Sequence, residues 1–229
     1  MNVKLVSITK PLIEGGRMTA EELLVYIARV SNPDNQLNTE TSDKLIGFMI
    51  RNKHWSPFDM INLTVEVTTS KAIGIQILRH WSIKPQEFSQ RYAEVTEIEP
   101  IELRRKGSTN RQSSEEVFNP LLHFDNGKSM KASVAVALHS KQTKALYNKL
   151  LNADVAKECA RMILPMATST TMYLNGSIRS WIFYLQQRTD KHAQLEHQEV
   201  AKLIQDIFIE HFPMTSLALG LIELDQDTK

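Results

Sequence analysis

The segment Gln76-Ile-Leu-Arg79-His80-Trp81-Ser-Ile-Lys-Pro85-Gln-Glu87-Phe88-Ser89-Gln90-Arg91-Tyr92 gathers amide, guanidinium, imidazole and carboxylate groups. The spacing predicts a helix over 70–81, on which Gln76, Arg79 and His80 fall at i, i+3 and i+4 and share one face. Ala72 and Ile73 lie on that face one turn earlier, so the polar trio extends a stripe that begins apolar. Polar groups at the end of a buried stripe need partners, because each unsatisfied one costs about 1–3 kcal/mol. Two ways of satisfying them stay open. One is a bound polar ligand, an anion above all. The other is a helix end at which Arg79 and His80 cap carbonyls and pair with Glu87.

A second constellation is Ile178, Trp181, Leu185 and Arg188, spaced 3, 4 and 3. It sets Arg188 on the apolar stripe of its helix, where a guanidinium is costly unless paired. Either Asp190 supplies a salt bridge at a helix junction or a substrate carbonyl or anion does. His54-Trp55-Ser56-Pro57-Phe58 reads as a satisfied loop before a strand. A metal site finds no support: His192-Ala-Gln-Leu-Glu196-His197 misses zinc-protease spacing, and its histidines point to different faces. Cys159, four residues from Val155 and from Ile163, reads as a small buried hydrophobe. Ser89 lacks the frame of a serine nucleophile, and no glycine-rich phosphate loop is present.

These groups need a scaffold, and the patterning supplies one. A strand is expected over 3–9, a helix opened by the Thr19/Glu22 capping box, and a helix over 42–51 with Leu45, Phe48 and Met49 at helical spacing. A half-buried strand follows over 61–68, with Ile61, Leu63, Val65 and Val67 on one face. Residues 92–103 look extended, and 104–127 read as loops and turns, with the basic stretch 104–111 the mobile part. Helices are expected over about 129–150, 153–164, 176–187 and 190–211. The implied class is α+β, a mixed or antiparallel sheet from the N-terminal half packed with a largely helical C-terminal half, in one domain over 1–229. The charge balance of +1, from 27 basic and 26 acidic residues, argues against bulk capture of nucleic acid or anionic membrane. A single cysteine excludes a disulfide framework, and the first ten residues form no signal peptide. Those features, with no apolar run of bilayer length, place the protein in the cytoplasm.

Read together, the motifs resemble those of the flavin-dependent thymidylate synthases. That family's signature is Arg-His-Arg, seven residues, then Ser, continuing to Arg-Tyr. Here it stands as Arg79-His80-Trp81, seven residues, Ser89, then Gln90-Arg91-Tyr92. The resemblance takes in His54-x-Ser-Pro-Phe58, Ala160-Arg161-Met-Ile-Leu-Pro165, and Arg179-Ser180-Trp181 through Arg188-x-Asp-x-x-Ala-Gln194-x-Glu196, in the family's order. It covers most of 50–92 and 155–200, whereas 104–145 and both termini carry no signature.

The resemblance implies a homotetramer that binds FAD and dUMP at sites shared between subunits. NADPH would reduce the flavin, and methylenetetrahydrofolate would give a methylene group to carbon 5 of the uracil, yielding dTMP without an enzyme nucleophile. It would place Gln76, Arg79, Glu87, Phe88, Ser89, Gln90, Arg91, Arg161 and Arg188 around dUMP, with Arg188 the activating, catalytic arginine. Ser56, Arg79, His80, Trp81, Glu87, Ser177, Ile178, Arg179 and Phe183 would lie along the flavin, with His54 near the flavin–folate stack. Two departures stand out: Trp81 where the family has arginine, and Phe183 where it has Asn or His. They imply altered flavin binding, with Trp81 packed on the cofactor or on a neighbouring subunit. Three other readings stay open: an NADPH–flavin oxidoreductase, a nucleic-acid-binding module and a structural oligomer.

Overall fold

The computed structural model describes residues 1–95, 97–108 and 114–223. In chain order the elements are β1 (Asn2–Ile8), α1 (Ala20–Ala28), α2 (Ser42–Arg51), β2 (Asn62–Ser70), α3 (Lys71–Ile77) and β3 (Lys84–Glu87). Then come β4 (Arg104–Lys106), β5 (Ser114–Val117), β6 (Leu121–His123), β7 (Ser129–Lys131), α4 (Ala132–Asn152) and α5 (Lys157–Ala160). The chain continues through β8 (Ser169–Ser177), α6 (Ile178–Arg188), α7 (Leu195–His211) and α8 (Pro213–Ala218).

The α+β class holds. The main sheet has four antiparallel strands in the order β1-β2-β8-β3. The expected alternation on β2 is there: Leu63, Val65 and Val67 are fully buried, as is Ile61 just before the strand. Its neighbour β8, paired with it over nine residues from Asn62↔Ser177 to Ser70↔Ser169, comes from the helical half of the sequence. Polar residues such as Thr170, Thr171 and Asn175 mask its apolar period, so this inner strand of the sheet was not read from sequence.

Each of these strands hands its chain directly to a helix capped by the strand's last residue. Ser70 Oγ accepts from the Ile73 amide, and Ser177 Oγ from the Ser180 amide. Because β2 and β8 are antiparallel, α3 and α6 start at opposite ends of the sheet. Helix α3 then runs back along β8, a path that needs Gly74. A Cβ there would sit 3.3 Å from Thr170 Cγ2 and 3.4 Å from Met172 Sδ. The return delivers Arg79–Lys84 to the start of α6, where Lys84 pairs with Asn175 in the sheet. Helix α7 covers α6, and the core closes on Trp181, Tyr184, Ile204 and Phe208.

Several expectations are corrected. Helix α3 stops at Ile77, with His80 bonding back to the Ile77 carbonyl in a tight turn, so Gln76, Arg79 and His80 do not share a helical face. The expected helix over 153–164 is one α turn plus a 3-10 turn over Arg161–Ile163, leaving no stripe to bury Cys159, which is exposed while Ala160 is buried. On α2 the buried line is Ser42, Ile46 and Met49, whereas Phe48 faces out and packs edge-on to His54, with ring centroids 5.6 Å apart. In place of loops over 104–127, the chain over 104–131 holds two small hairpin sheets, β4–β5 and β6–β7, of which residues 109–113 lie outside the described part. Among the described residues no helix is long and apolar enough to cross a membrane.

Candidate active site

Where α6 begins, the sheet end and the turn after α3 enclose an open groove of about 1040 Å³. Its walls carry Arg79, His80, Trp81 and Lys84 from one side and Ser177, Arg179, Phe183 and Arg188 from α6. Four cations therefore face one carboxylate, Asp59, and the groove is positive although the chain is nearly neutral. Asp59 organises one wall: its carboxylate accepts from Ser177 Oγ at 2.9 Å and from Arg179 Nη1 at 3.0 Å. Arg179 also stands 5.9 Å from the Phe183 ring centre, and Phe183 tilts against Trp55 at 5.2 Å. Trp81 is 83% exposed on the rim, its carbonyl accepting from Lys84 Nζ at 2.9 Å.

Arg188 sits as the α6 stripe requires, one turn beyond buried Trp181 and Leu185. Its partner is not Asp190, which turns to the His192 amide and ring. Instead Arg188 Nε donates to His80 Nε2 at 2.7 Å. An imidazole nitrogen that accepts from a guanidinium cannot carry a proton, so His80 is neutral with its hydrogen on Nδ1. Burial, and then the Arg188 charge, push His80 down to about 4. This bond uses the Arg188 Nε–H and leaves the Nη hydrogens for something else. It also fixes the guanidinium plane, which is what a donor aimed at developing negative charge requires.

Behind His80 lies a second polar layer. Tyr184 packs edge-on to His80, with centroids 4.9 Å apart. Its hydroxyl meets Nε2 of fully buried His197 at 3.1 Å, and His197 Nδ1 meets Gln76 Oε1 at 3.1 Å. Gln76 Nε2 donates to Gln194 Oε1 at 2.6 Å, Gln194 Nε2 to Glu196 Oε2 at 2.8 Å, and Arg104 closes the chain on Glu196.

The residues singled out from sequence thus separate. Arg79, His80, Trp81, Ser177, Arg179, Phe183 and Arg188 line the groove, and buried Ile178 anchors the start of α6 beneath it. His54 and Ser56 flank Trp55, which packs on Phe183. Gln76 belongs to the layer behind. Glu87 does not pair with Arg79 or His80; its Oε1 takes Lys71 Nζ at 2.6 Å and Thr170 Oγ1 at 2.8 Å. Beyond it the Phe88 amide bonds the Thr171 carbonyl, Ser89 and Gln90 turn the chain, and Arg91 reaches Glu158 of α5 at 3.2 Å, with Arg161 in the turn that follows α5. Asp59, Tyr184 and His197 were missed. For His197 the signal was present: Val200, Ala201 and Ile204 at i+3, i+4 and i+7 put it on a buried stripe.

The family model described as thymidylate synthase complementing protein matches residues 16–214. A probable flavin-dependent thymidylate synthase of Paramecium bursaria Chlorella virus 1 is 45% identical over 223 residues, which is 97% of this chain and 100% of the relative. A flavin-dependent thymidylate synthase of Synechocystis sp. is 44% identical over 221 residues, 96% of this chain and 99% of its own. Among solved structures, the UMP/dUMP methylase PolB of Streptomyces cacaoi, bound with 5-Br dUMP, shares the fold with a TM-score of 0.76. It is 23% identical, over 96% of this chain and 95% of that one.

Proposed function

The chain belongs to the thymidylate synthase complementing protein family, the flavin-dependent thymidylate synthases, and we propose that it methylates dUMP to dTMP. In this reading methylenetetrahydrofolate is the carbon donor and FAD, reduced by NADPH, the hydride source. The unit is one domain over 1–229, assembled as a homotetramer. The observation that carries the reading is the Arg188–His80 bond at the mouth of a cationic, aromatic-walled groove.

The groove's donors fit FAD. A dinucleotide brings a diphosphate and a flat ring system. The groove offers Arg79, Arg179, the Ser177 hydroxyl, and the exposed faces of Trp81 and Phe183. These residues, with Ile178, His54 and Ser56 beside them and Glu87 from outside the groove, would hold the cofactor, which when bound supplies the hydride. Exposed Trp81 suits a stacking role in place of a charge.

The remaining chemistry falls to the chain's own arginines. Carbon 5 of uracil attacks only when electron density is pushed into the ring, and a rigid guanidinium stabilises the charge that builds on the base oxygens. Arg188, tied through Nε and with no partner for its Nη hydrogens among the described residues, suits that task. A preorganised donor of this kind contributes about 3–4 kcal/mol to a barrier. Arg91 and Arg161 suit the nucleotide phosphate, with Gln76, Arg79, Glu87, Phe88, Ser89 and Gln90 around the rest. In one chain Arg91 is held by Glu158, apart from the Arg188 groove. That separation supports a site completed by residues of a second subunit. Release of tritium from [5-³H]dUMP tests the function: it should require FAD, NADPH and methylenetetrahydrofolate together, and release independent of the folate would refute it.

A further inference from the structure

The polar layer behind His80 has a direction, and the direction starts at Glu196. Burial raises that carboxyl, but hydrogen bonds from Arg104 first, and from its own backbone and Gln194 after it, outweigh burial and hold it below its ordinary value. An ionised carboxylate only accepts, so the Gln194 amide nitrogen must face it and Gln194 Oε1 must face Gln76. Gln76 therefore turns its nitrogen to Gln194 and its oxygen to His197. His197 must then carry its hydrogen on Nδ1, and its Nε2 lone pair takes the Tyr184 hydroxyl proton. The ring stays neutral at physiological pH. Burial, then the charges of Arg188 and His80, push it down to about 3.

We propose that His197 is a positioning residue that locks the Gln76 amide so that Gln76 turns its N–H, rather than its oxygen, toward a bound nucleotide. This rests on the reading that Gln76 borders the dUMP site. Gln76 Oε1 is turned back to the His197 ring and one Nε2 hydrogen goes to Gln194, which leaves the second Nε2 hydrogen without a partner among the described residues. Without the His197 Nδ1–H, the amide oxygen is stranded against a buried wall, and the amide loses one of its two tethers. An amide free to rotate presents its oxygen to the nucleotide's carbonyl and phosphate oxygens part of the time, which repels them.

Two conservative substitutions separate this role from packing. His197→Asn places an amide N–H where Nδ1 stands and gives up the Tyr184 bond. His197→Gln places its amide where Nε2 stands and gives up the bond to Gln76. Titration calorimetry with dUMP on the FAD-loaded protein should show His197→Gln binding about tenfold more weakly, one hydrogen bond's worth, and His197→Asn within about threefold of wild type. In a Gln76→Ala background, the substitution to Gln should make no further difference. Equal losses for both variants, no loss for either, or an undiminished loss in the Gln76→Ala background would overturn the proposal. So would ¹⁵N shifts of wild-type His197 showing the hydrogen on Nε2, a measurement that needs no variant to fold. A wild-type protein that binds no dUMP would instead remove the functional reading on which the proposal stands, and the proposal with it.

Discussion

Acidifying the protein from pH 7.5 to pH 5 protonates unfolded histidines, whereas two folded ones resist. His197 is pushed down to about 3 and His80 to about 4, against 6.5 for an ordinary imidazole. Between 6.5 and the folded value the unfolded chain binds more protons. The stability present above pH 6.5 is therefore lost as pH falls through that window. At pH 5 an imidazole that titrates at 6.5 when unfolded and not at all when folded costs about 2 kcal/mol. The figure is the same whether the folded value is 3 or 4, since both lie well below 5. His197, fully buried, should contribute nearly all of its share, and partly exposed His80 less. His197→Asn removes the stronger of the two groups. Urea unfolding at both pH values and one protein concentration should show wild type losing about 2 kcal/mol more than the variant on acidification. Every other titrating group cancels in that comparison. Equal losses in the two proteins would mean that His197 is protonated in the folded state, and the directional hydrogen-bond chain would fall with it.

Other substitutions read other parts of the structure. Arg188→Lys cannot both donate to His80 and present a fork, so kcat should fall about 10²–10³-fold in steady-state assays while the FAD dissociation constant stays put. Asp59→Ala releases Ser177 and Arg179 together and should weaken FAD binding about tenfold, measured by flavin fluorescence titration. Trp81→Arg should change the FAD dissociation constant in the same titration, and an unchanged constant would mean that Trp81 does not touch the cofactor. Glu21 accepts from the Met214 and Thr215 amides at the start of α8, which has no side-chain cap of its own. Glu21→Ala should therefore cost about 1–3 kcal/mol of unfolding free energy, read by urea titration.

How far the sequence spoke depended on whether the relevant interaction was local. Strand β2 announced itself through strict alternation, and the Thr19/Glu22 box through its spacing, with both of its hydrogen bonds present at 3.1 and 2.7 Å. The position of Arg188 on its stripe was legible too, because Ile178, Trp181 and Leu185 are neighbours on one helix. Its partner was not: His80 lies 108 residues away and reaches Arg188 only because α3 doubles back along β8. Strand β8 was hidden by threonines whose hydroxyls find partners only once folded, as Thr170 does at Glu87. Asp59 could not be read at all, since what it binds begins 118 residues later. Arg79, His80, Trp81, Ser177, Arg179, Phe183 and Arg188 were found by motif resemblance and meet in one groove. Ser89, Gln90, Arg91 and Arg161 lie outside it in the single chain.

The central claim is that the groove around Arg188 supports flavin-dependent methylation of dUMP. The direct measurement follows the flavin spectrum of FAD-loaded protein without oxygen. NADPH should bleach it, and subsequent methylenetetrahydrofolate should restore the oxidised spectrum only when dUMP is present, with dTMP formed in equal amount. Recovery of the spectrum without dUMP, or no dTMP alongside it, would contradict the account.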